Sequence, residues 1–168
     1  MTTSTSTRRH LLTLVAALAF TGACNSAPPT KVGSNMPGAQ STTSDPSTPR
    51  GTPIRIRIAD TVVAGELWDN APARALIEGL PVTLNFSDLN NVEKTARFDP
   101  PLPMTGMPDG DDPMPRDIGW YSPTHDVVLY YGDVGYWPGI ARIGRILDGV
   151  DTIAAQRGDF VATIELGT

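Results

Sequence analysis

The chain has 168 residues, with 18 acidic and 13 basic side chains and a formal net charge of −5. The charge is divided unevenly: residues 1–50 hold 4 basic and 1 acidic residue, a net of +3, and residues 51–168 hold 9 basic and 17 acidic residues, a net of −8. A domain this acidic argues against nucleic acid as a partner, and against adhesion of the domain itself to anionic lipid.

The first 23 residues have the pattern of a secretory signal peptide. Arg8 and Arg9 form a basic start, residues 11–20 are apolar except for Thr13, and small residues follow before a potential cleavage site. The apolar run covers about half of a bilayer core, so it is too short for a transmembrane helix. The arginine pair fits both the Tat and the Sec export routes.

Cys24, the only cysteine of the chain, directly follows these small residues. Residues 21–24, Thr-Gly-Ala-Cys, resemble the lipobox of bacterial lipoproteins, with threonine in place of the usual leucine. The resemblance implies a lipid on Cys24; an ordinary signal cut nearby is the alternative. With Cys24 lipidated, no cysteine remains for a disulfide, and the domain depends on its core alone. We therefore predict an exported protein, anchored to the cell membrane on its extracytoplasmic side.

Residues 24–53 separate this anchor from the folded part of the chain. They are rich in Ser, Thr, Pro, Gly and Asn and contain almost nothing apolar, so they cannot offset the entropy of ordering. We predict a flexible tether here and one domain over residues 54–168, long enough to bury its own core. Only the lipid anchor is expected to contact the membrane.

Short segments of alternating apolar and polar residues, typical of half-buried strands, recur through the domain. Asn70, followed by Pro72 in the first turn, predicts the start of a helix that ends at Gly79. A break in alternation predicts a β-bulge at Gly144. In chain order, the elements are strands at 54–58 and 61–67, the first helix, strands at 82–86, 92–98, 117–121, 127–131 and 140–147, a helix at 150–156 and a strand at 160–166. This order predicts an all-β fold with minor α content, a closed antiparallel barrel of about eight strands with two short helices.

Residues 99–115 form a long loop with six prolines, and loops of this length are often functional. Its Asp109-Gly110-Asp111-Asp112 segment lacks the spaced ligands of a calcium loop. His125 lies in a polar turn, where a solvated side chain is the simplest interpretation. Since the chain also has no phosphate loop and no cluster of His and Cys, we predict no metal and no cofactor.

Three segments carry a resemblance to a known family: residues 68–76 (WDNAPARAL), 117–121 (DIGWY) and 130–146 (YYGDVGYWPGIARIGRI). Together they resemble the bacterial cyclophilin-like fold family over residues 54–167. The resemblance implies a cyclophilin-like barrel of about eight strands with two helices. It implies no established biochemical activity.

True cyclophilins catalyse prolyl isomerisation with an arginine in a Phe-His-Arg phrase, accompanied by Gln-Gly-Gly and Gly-Ser-Gln-Phe-Phe phrases. None of these phrases occurs here. Arg97, followed by Phe98, is the nearest substitute for the catalytic arginine; otherwise it is simply the outward residue of a strand. We therefore predict a domain that binds a peptide or small molecule at the barrel mouth without catalysis. A weak peptidyl-prolyl isomerase that acts on exported proteins is the alternative.

The predicted ligand-binding residues are large or charged side chains expected near the mouth of the barrel. We expect Arg97, Trp120 and Tyr136 to border one concave surface. The two methionines of the set lie on the proline-rich loop, where packing beneath the loop is the alternative role. The full set is Glu93, Arg97, Met104, Met107, Trp120, Tyr121, Tyr131, Tyr136 and Trp137.

Overall fold

The structure, a computed structural model, describes residues 51–168. The predicted signal peptide, Cys24 and the predicted tether as far as residue 50 lie outside the described residues. Within residues 51–168, no helix combines the length and the apolar character needed to cross a membrane.

Ten strands and two helices make up residues 51–168. They are β1 (Thr52–Ile58), β2 (Thr61–Leu67), α1 (Ala71–Glu78), β3 (Val82–Leu89), β4 (Glu93–Arg97), β5 (Gly110–Asp111), β6 (Asp117–Tyr121), β7 (Asp126–Tyr130), β8 (Trp137–Pro138), β9 (Ile140–Ile146), α2 (Val150–Ala154) and β10 (Phe160–Leu166). Eight strands form a closed antiparallel barrel in the order β1-β10-β3-β4-β7-β6-β9-β2, and β5 pairs with β8 in a small separate sheet. The predicted fold class is confirmed. The β5–β8 pair was not predicted.

Strand β1 shows how alternation in the sequence becomes a wall of the barrel. Ile54, Ile56 and Ile58 are at most 5% exposed and face the core. The intervening arginines, Arg55 and Arg57, lie on the outside and form ion pairs with Glu165 of the adjacent strand β10 at 3.3 and 2.8 Å. The strand begins at Thr52, two residues before the predicted start of the domain.

Helix α1 begins where its capping residues predict. The side-chain oxygen of Asn70 accepts a hydrogen bond from the backbone N–H of Ala73 at 3.1 Å, and Pro72 occupies the first turn, where no intrahelical N–H donor is needed. Ala73 and Leu76 are fully buried in the core, and Gly79 caps the end. The second helix, α2, contributes buried Ile153 to the same core.

The predicted bulge is present one residue before Gly144. Ile118 pairs with Gly144 and Gly119 pairs with Arg142, which leaves Ile143 as the extra residue of β9. Gly144 itself has a different role, because a Cβ at this position would lie 2.2 Å from the carbonyl oxygen of Glu66. The glycine permits close approach of β2 to β9.

Large side chains that are closed off from solvent fill the inside of the barrel. Five of these side chains are 0% exposed: Phe86, Trp120, Leu129, Ile143 and Ile146. An eight-stranded barrel has an interior just wide enough for its own side chains. Concave surfaces of this domain are therefore expected on the outside of the barrel.

Lys94 is the charged exception inside the barrel, and its side chain is fully buried. Its ammonium donates hydrogen bonds to the Asp88 carboxylate and to the carbonyl oxygen of Gln156, both at 2.8 Å, and it lies 5.1 Å from the ring centroid of Tyr131. The Tyr131 hydroxyl donates to the same Asp88 carboxylate at 2.9 Å. These contacts lower the pKa of Asp88, chiefly through the bond from Lys94, and the charge on Lys94 is thereby compensated.

Candidate ligand-binding site

A cavity of about 520 Å³ lies on the outer face of the barrel over β4, β6, β7 and the start of β9. Alternation along β4 explains its position: Lys94 and Ala96 point into the barrel, whereas Glu93 and Thr95 point outward and line the cavity. The cavity thus differs in location from the barrel mouth, where the sequence had predicted a ligand, because core side chains fill the interior.

The floor of the cavity is a small hydrophobic cluster that is separate from the main core. Val128, Tyr130 and Ile140 are at most 4% exposed and form this cluster, with Tyr121 and Val134 packed against it. Strand β7 therefore buries both of its faces, one in the barrel core and the other beneath the cavity. The remaining apolar lining residues are Leu89, Val92 and Trp137.

The ring of Tyr130 is accommodated by a glycine on the neighbouring strand. A Cβ at Gly119 would lie 2.6 Å from Cε2 of Tyr130, so a larger residue would push the ring away from β6. Tyr130 is 1% exposed, and its hydroxyl makes no hydrogen bond with any residue of the described part of the chain. Burial, and then the charge of Glu93, raise the pKa of Tyr130.

Glu93 places an uncompensated carboxylate on the cavity wall. Among residues 51–168, it has no hydrogen-bonding or ion-pair partner. Burial raises its pKa above the ordinary value, and the negative charge of Asp126 adds to the effect. The Asp126 carboxylate accepts a hydrogen bond from the Thr124 hydroxyl, whereas no such bond compensates Glu93.

The cavity lining is acidic. It contains Glu93, Asp126 and Asp133 but, in this part of the described chain, no Lys, Arg or His. Two nearby arginines have other partners: Arg97 binds Asp99 outside the cavity, and Arg142 forms ion pairs with Asp117 at 2.9 Å and Asp111 at 3.8 Å. Among residues 51–168, carboxylates are thus the only formally charged groups of the lining, and the charge of Arg97 also acts on Asp126.

Residues 133–138 form one rim of the cavity and carry Trp137. The Asp133 carboxylate accepts from the Gly135 N–H at 3.1 Å, which tightens the turn, and the Trp137 indole N–H donates to the Val134 carbonyl oxygen at 3.0 Å. Pairing of β8 with β5 supports this rim from the proline-rich loop. The loop therefore contributes to the site by holding Trp137, which is 56% exposed.

Three of the predicted binding residues line this cavity: Glu93, Tyr121 and Trp137. Trp120 does not, since it is 0% exposed in the core, where its ring lies edge-on to Phe98. Trp120 therefore does not border a concave surface with Tyr136 and Arg97, as we had expected. Adjacent residues of a strand face opposite sides, and Trp120 faces inward whereas Tyr121 faces outward.

The other predicted residues lie outside the cavity lining. Met104 and Met107 pack against the main core beneath the proline-rich loop. Tyr131 belongs to the network around Lys94, where burial and the hydrogen bond to Asp88 raise its pKa to about 12. Tyr136 is 61% exposed on the turn that precedes Trp137.

Arg97, the predicted catalytic residue, is held at the exposed end of β4. Its guanidinium donates to the two carboxylate oxygens of Asp99 at 3.0 and 3.3 Å and to the Thr124 carbonyl oxygen at 3.0 Å. It also lies 3.3 Å from Nδ1 of His125. The bond from Arg97 lowers the pKa of Asp99, and the guanidinium is directed to this cluster outside the cavity.

Sequence reasoning missed most of the cavity floor, namely Val128, Tyr130 and Ile140. One signal was available, because residues 127–130 form an uninterrupted apolar run in place of the alternation found in β1. Such a run indicates a strand that is covered on both faces. In residues 51–168, no group of three or more His, Cys, Asp or Glu side chains is arranged to hold a metal ion.

Comparison with known proteins points to one family. The sequence model described as "Cyclophilin-like family" matches residues 56–165. A solved structure with a similar fold is that of a hypothetical protein from Archaeoglobus fulgidus, 14% identical, with a TM-score of 0.53 over 73% of this chain and 100% of that one. No curated protein matches the chain significantly.

We expect Glu93→Gln to raise the free energy of unfolding at neutral pH. The ionised carboxylate is disfavoured in the folded protein, so its unfavourable contribution is fully present above the raised folded pKa and absent below the ordinary value of 4.5. Urea denaturation of both proteins over a pH series measures this effect. The advantage of the variant should shrink as the pH falls towards that value.

Asp159→Asn is the control for Glu93→Gln, since Asp159 is an exposed carboxylate remote from the cavity. We expect it to produce no comparable gain in stability. A Glu93→Gln protein that is less stable than wild type at neutral pH would show that the carboxylate is compensated after all.

Proposed function

This chain belongs to the cyclophilin-like family, and from that premise we propose that its domain is a non-catalytic binding module. In this proposal, the cavity on the outer face of β4, β6 and β7 takes a peptide segment or a small molecule. The observation that carries the proposal is the cavity itself: an apolar floor, an aromatic rim residue and a few polar groups surround one concave space.

The dimensions and lining of the cavity support a role in binding. Its volume of about 520 Å³ is within the range of roughly 300–1,000 Å³ found for small-molecule sites. Such sites are mostly apolar and contain a few polar groups that orient the ligand. In this cavity, the Glu93 carboxylate and the Tyr130 hydroxyl are such polar groups. The exposed ring of Trp137 supplies further apolar contact area at the rim.

The environment of Arg97 favours a module without isomerase chemistry. A catalytic guanidinium must be free to donate to the prolyl nitrogen of a bound peptide. The donors of Arg97 are directed to Asp99, Thr124 and His125, at the exposed end of β4 and outside the cavity lining. A prolyl ring seated in the cavity would therefore have no arginine beside it.

We further propose that the module is exported and held at the extracytoplasmic face of the cell membrane. The location is supported by the signal-like residues 1–23, by Cys24 in a lipobox-like context and by the polar sequence between Cys24 and the start of β1. The module would then bind its ligand outside the cytoplasm, at a distance from the membrane that the length of the tether limits.

Blocking the cavity with a bulky side chain tests the binding function. A neutral probe, phenylbutanol, should shift the backbone amide signals of Val128, Tyr130 and Ile140 in ¹⁵N-labelled protein, because its ring covers the apolar floor. In Thr95→Trp, the indole is expected to occupy the cavity and to abolish these shifts. Thr61→Trp, at an exposed position of β2, should bind as wild type does.

The binding proposal fails if phenylbutanol leaves the amides of the cavity floor unchanged at millimolar concentrations. It also fails if Thr95→Trp, shown to be folded by its amide spectrum, retains the wild-type shifts. Either result would mean that the cavity is only a feature of packing.

A protease-coupled assay with a proline-containing peptide tests the absence of catalysis. We expect wild type and Arg97→Ala to give the same uncatalysed rate, because the guanidinium is bound to Asp99 and lies outside the cavity. A wild-type rate above background that Arg97→Ala removes would restore the isomerase interpretation.

The proposed anchor is tested by Cys24→Ala in the full chain. Without the thiol, no lipid can be attached, so we expect the exported protein to move from the membrane fraction to the soluble extracytoplasmic fraction. Equal partition of wild type and variant, measured by fractionation and immunoblotting, would contradict lipidation.

A further inference from the structure

We infer that the cavity selects a ligand that has a cationic head group, a primary amine or a guanidinium, on an apolar body. This inference rests on the proposed function, in which the cavity binds a ligand, and it adds the chemical class. It is argued from the placement of one carboxylate, one hydroxyl and the apolar floor.

Glu93 and Tyr130 are two polar groups on the same outer face of the β4–β7 pair. They are directly opposite one another in the β4–β7 ladder, and both face outward into the cavity. Directly opposed residues of antiparallel strands have Cβ atoms about 4.5–5.5 Å apart. The Tyr130 ring extends from β7 over Gly119 of β6, on the side away from β4, so its hydroxyl and the Glu93 carboxylate are two separate polar positions in the cavity lining.

The Tyr130 hydroxyl supplies evidence for a ligand that is independent of the carboxylates. Tyr130 is 1% exposed, yet its hydroxyl has no hydrogen-bonding partner in the described part of the chain. The hydroxyl oxygen is not one of the fully enclosed polar atoms of the described residues, so it keeps access to the cavity and can exchange hydrogen bonds with water or a ligand there. A ligand N–H directed at this oxygen would have an acceptor that no described residue occupies.

The acidic lining of the cavity favours a positively charged head group on the ligand. Glu93, Asp126 and Asp133 line it, and the nearby cations Arg97 and Arg142 already form ion pairs with other carboxylates. An anionic ligand would add a further negative charge to this lining, whereas a cation would relieve the repulsion between Glu93 and Asp126. Electrostatic complementarity therefore favours the cation.

The apolar body has its own place beside the head group. Val128, Ile140 and Val134 form an uncharged floor next to Glu93, with Trp137 at the rim. A purely polar cation such as a bare metal ion would leave this floor uncovered. The same chemistry is available from two sources, a lysine or arginine side chain of a peptide and a free organic amine.

Three probes with one apolar body and different heads test the inference on ¹⁵N-labelled protein: phenylbutylamine, phenylbutanol and phenylbutyrate. Affinities are measured from the amide shifts of the cavity floor. We expect the amine to bind roughly tenfold more tightly than the alcohol, and the carboxylate to bind more weakly than either.

A pair of peptides distinguishes the two sources of the amine: acetyl-Leu-Lys-Leu-amide and the analogue in which norleucine replaces lysine. If lysine increases the affinity of the peptide more than the amine increases that of the small probe, the ligand is a peptide.

Glu93→Gln should reduce the preference for the amine over the alcohol, measured as the ratio of their affinities, to about twofold or less. Glu78→Gln makes the same chemical change at an exposed site on α1, away from the cavity, and should keep the full preference. Loss of the preference in both variants would show that only the overall charge matters, which would overturn the inference.

Binding of the amine by wild type should also weaken as the pH falls through the raised pKa of Glu93, since protonation removes the anion. Glu93→Gln should abolish most of this dependence. The other titratable groups that line the cavity are Asp126 and Tyr130 of β7, Tyr121 of β6 and Asp133 of the rim.

The outcomes separate this inference from the proposed function. Equal affinities for the three probes, with shifts at the cavity floor, would overturn the cation preference but leave the cavity as a binding site. Absence of such shifts with all three probes would overturn both.

Discussion

Closure of the barrel fixes which side chains of this domain fill its core and which face outward. Because every one of the eight barrel strands is paired on both sides, their inward side chains share an enclosed space of fixed width. Trp120, Phe86 and the inward isoleucines fill that space, and both helices add further buried side chains. The proposed ligand site is therefore built from outward residues, where β7 also buries its outer face.

Two consecutive residues of β4 show how differently this fold treats charge on its two faces. Lys94 points inward, and Asp88, the Gln156 carbonyl oxygen and the Tyr131 ring surround its ammonium. Glu93 points outward, and no described residue compensates its carboxylate. A buried charge in the core must be paired for the protein to fold, whereas an uncompensated charge at a surface cavity lowers stability only moderately and can be retained for binding.

Local rules predicted most of the fold. Alternation located β1 and β10, and the Asn70 cap located α1, because each pattern involves neighbours in the chain. The site was harder to predict because it depends on which face of a strand becomes covered. Two adjacent aromatic residues end β6, and two more lie at the end of β7 and just after it. The sequence analysis named Trp120, Tyr121 and Tyr131, whereas Tyr121 and Tyr130 line the cavity. All four are large aromatic residues, so the residue type alone does not show which side chains face the core and which face the cavity.

The Gly119–Tyr130 contact explains why such a site escapes motif analysis. A glycine inside a strand usually weakens it, and here it leaves the space in which the Tyr130 ring lies across the neighbouring strand. The residues are eleven positions apart, and their relation appears only after β6 and β7 pair. The proline-rich loop acts in the same indirect way, since its β5 segment holds the strand that carries Trp137. The cavity thus follows from the packing of strands that have no recognisable catalytic phrase. Relatives with the same barrel can therefore carry different outward side chains, and so accept different ligands, without any change in the core.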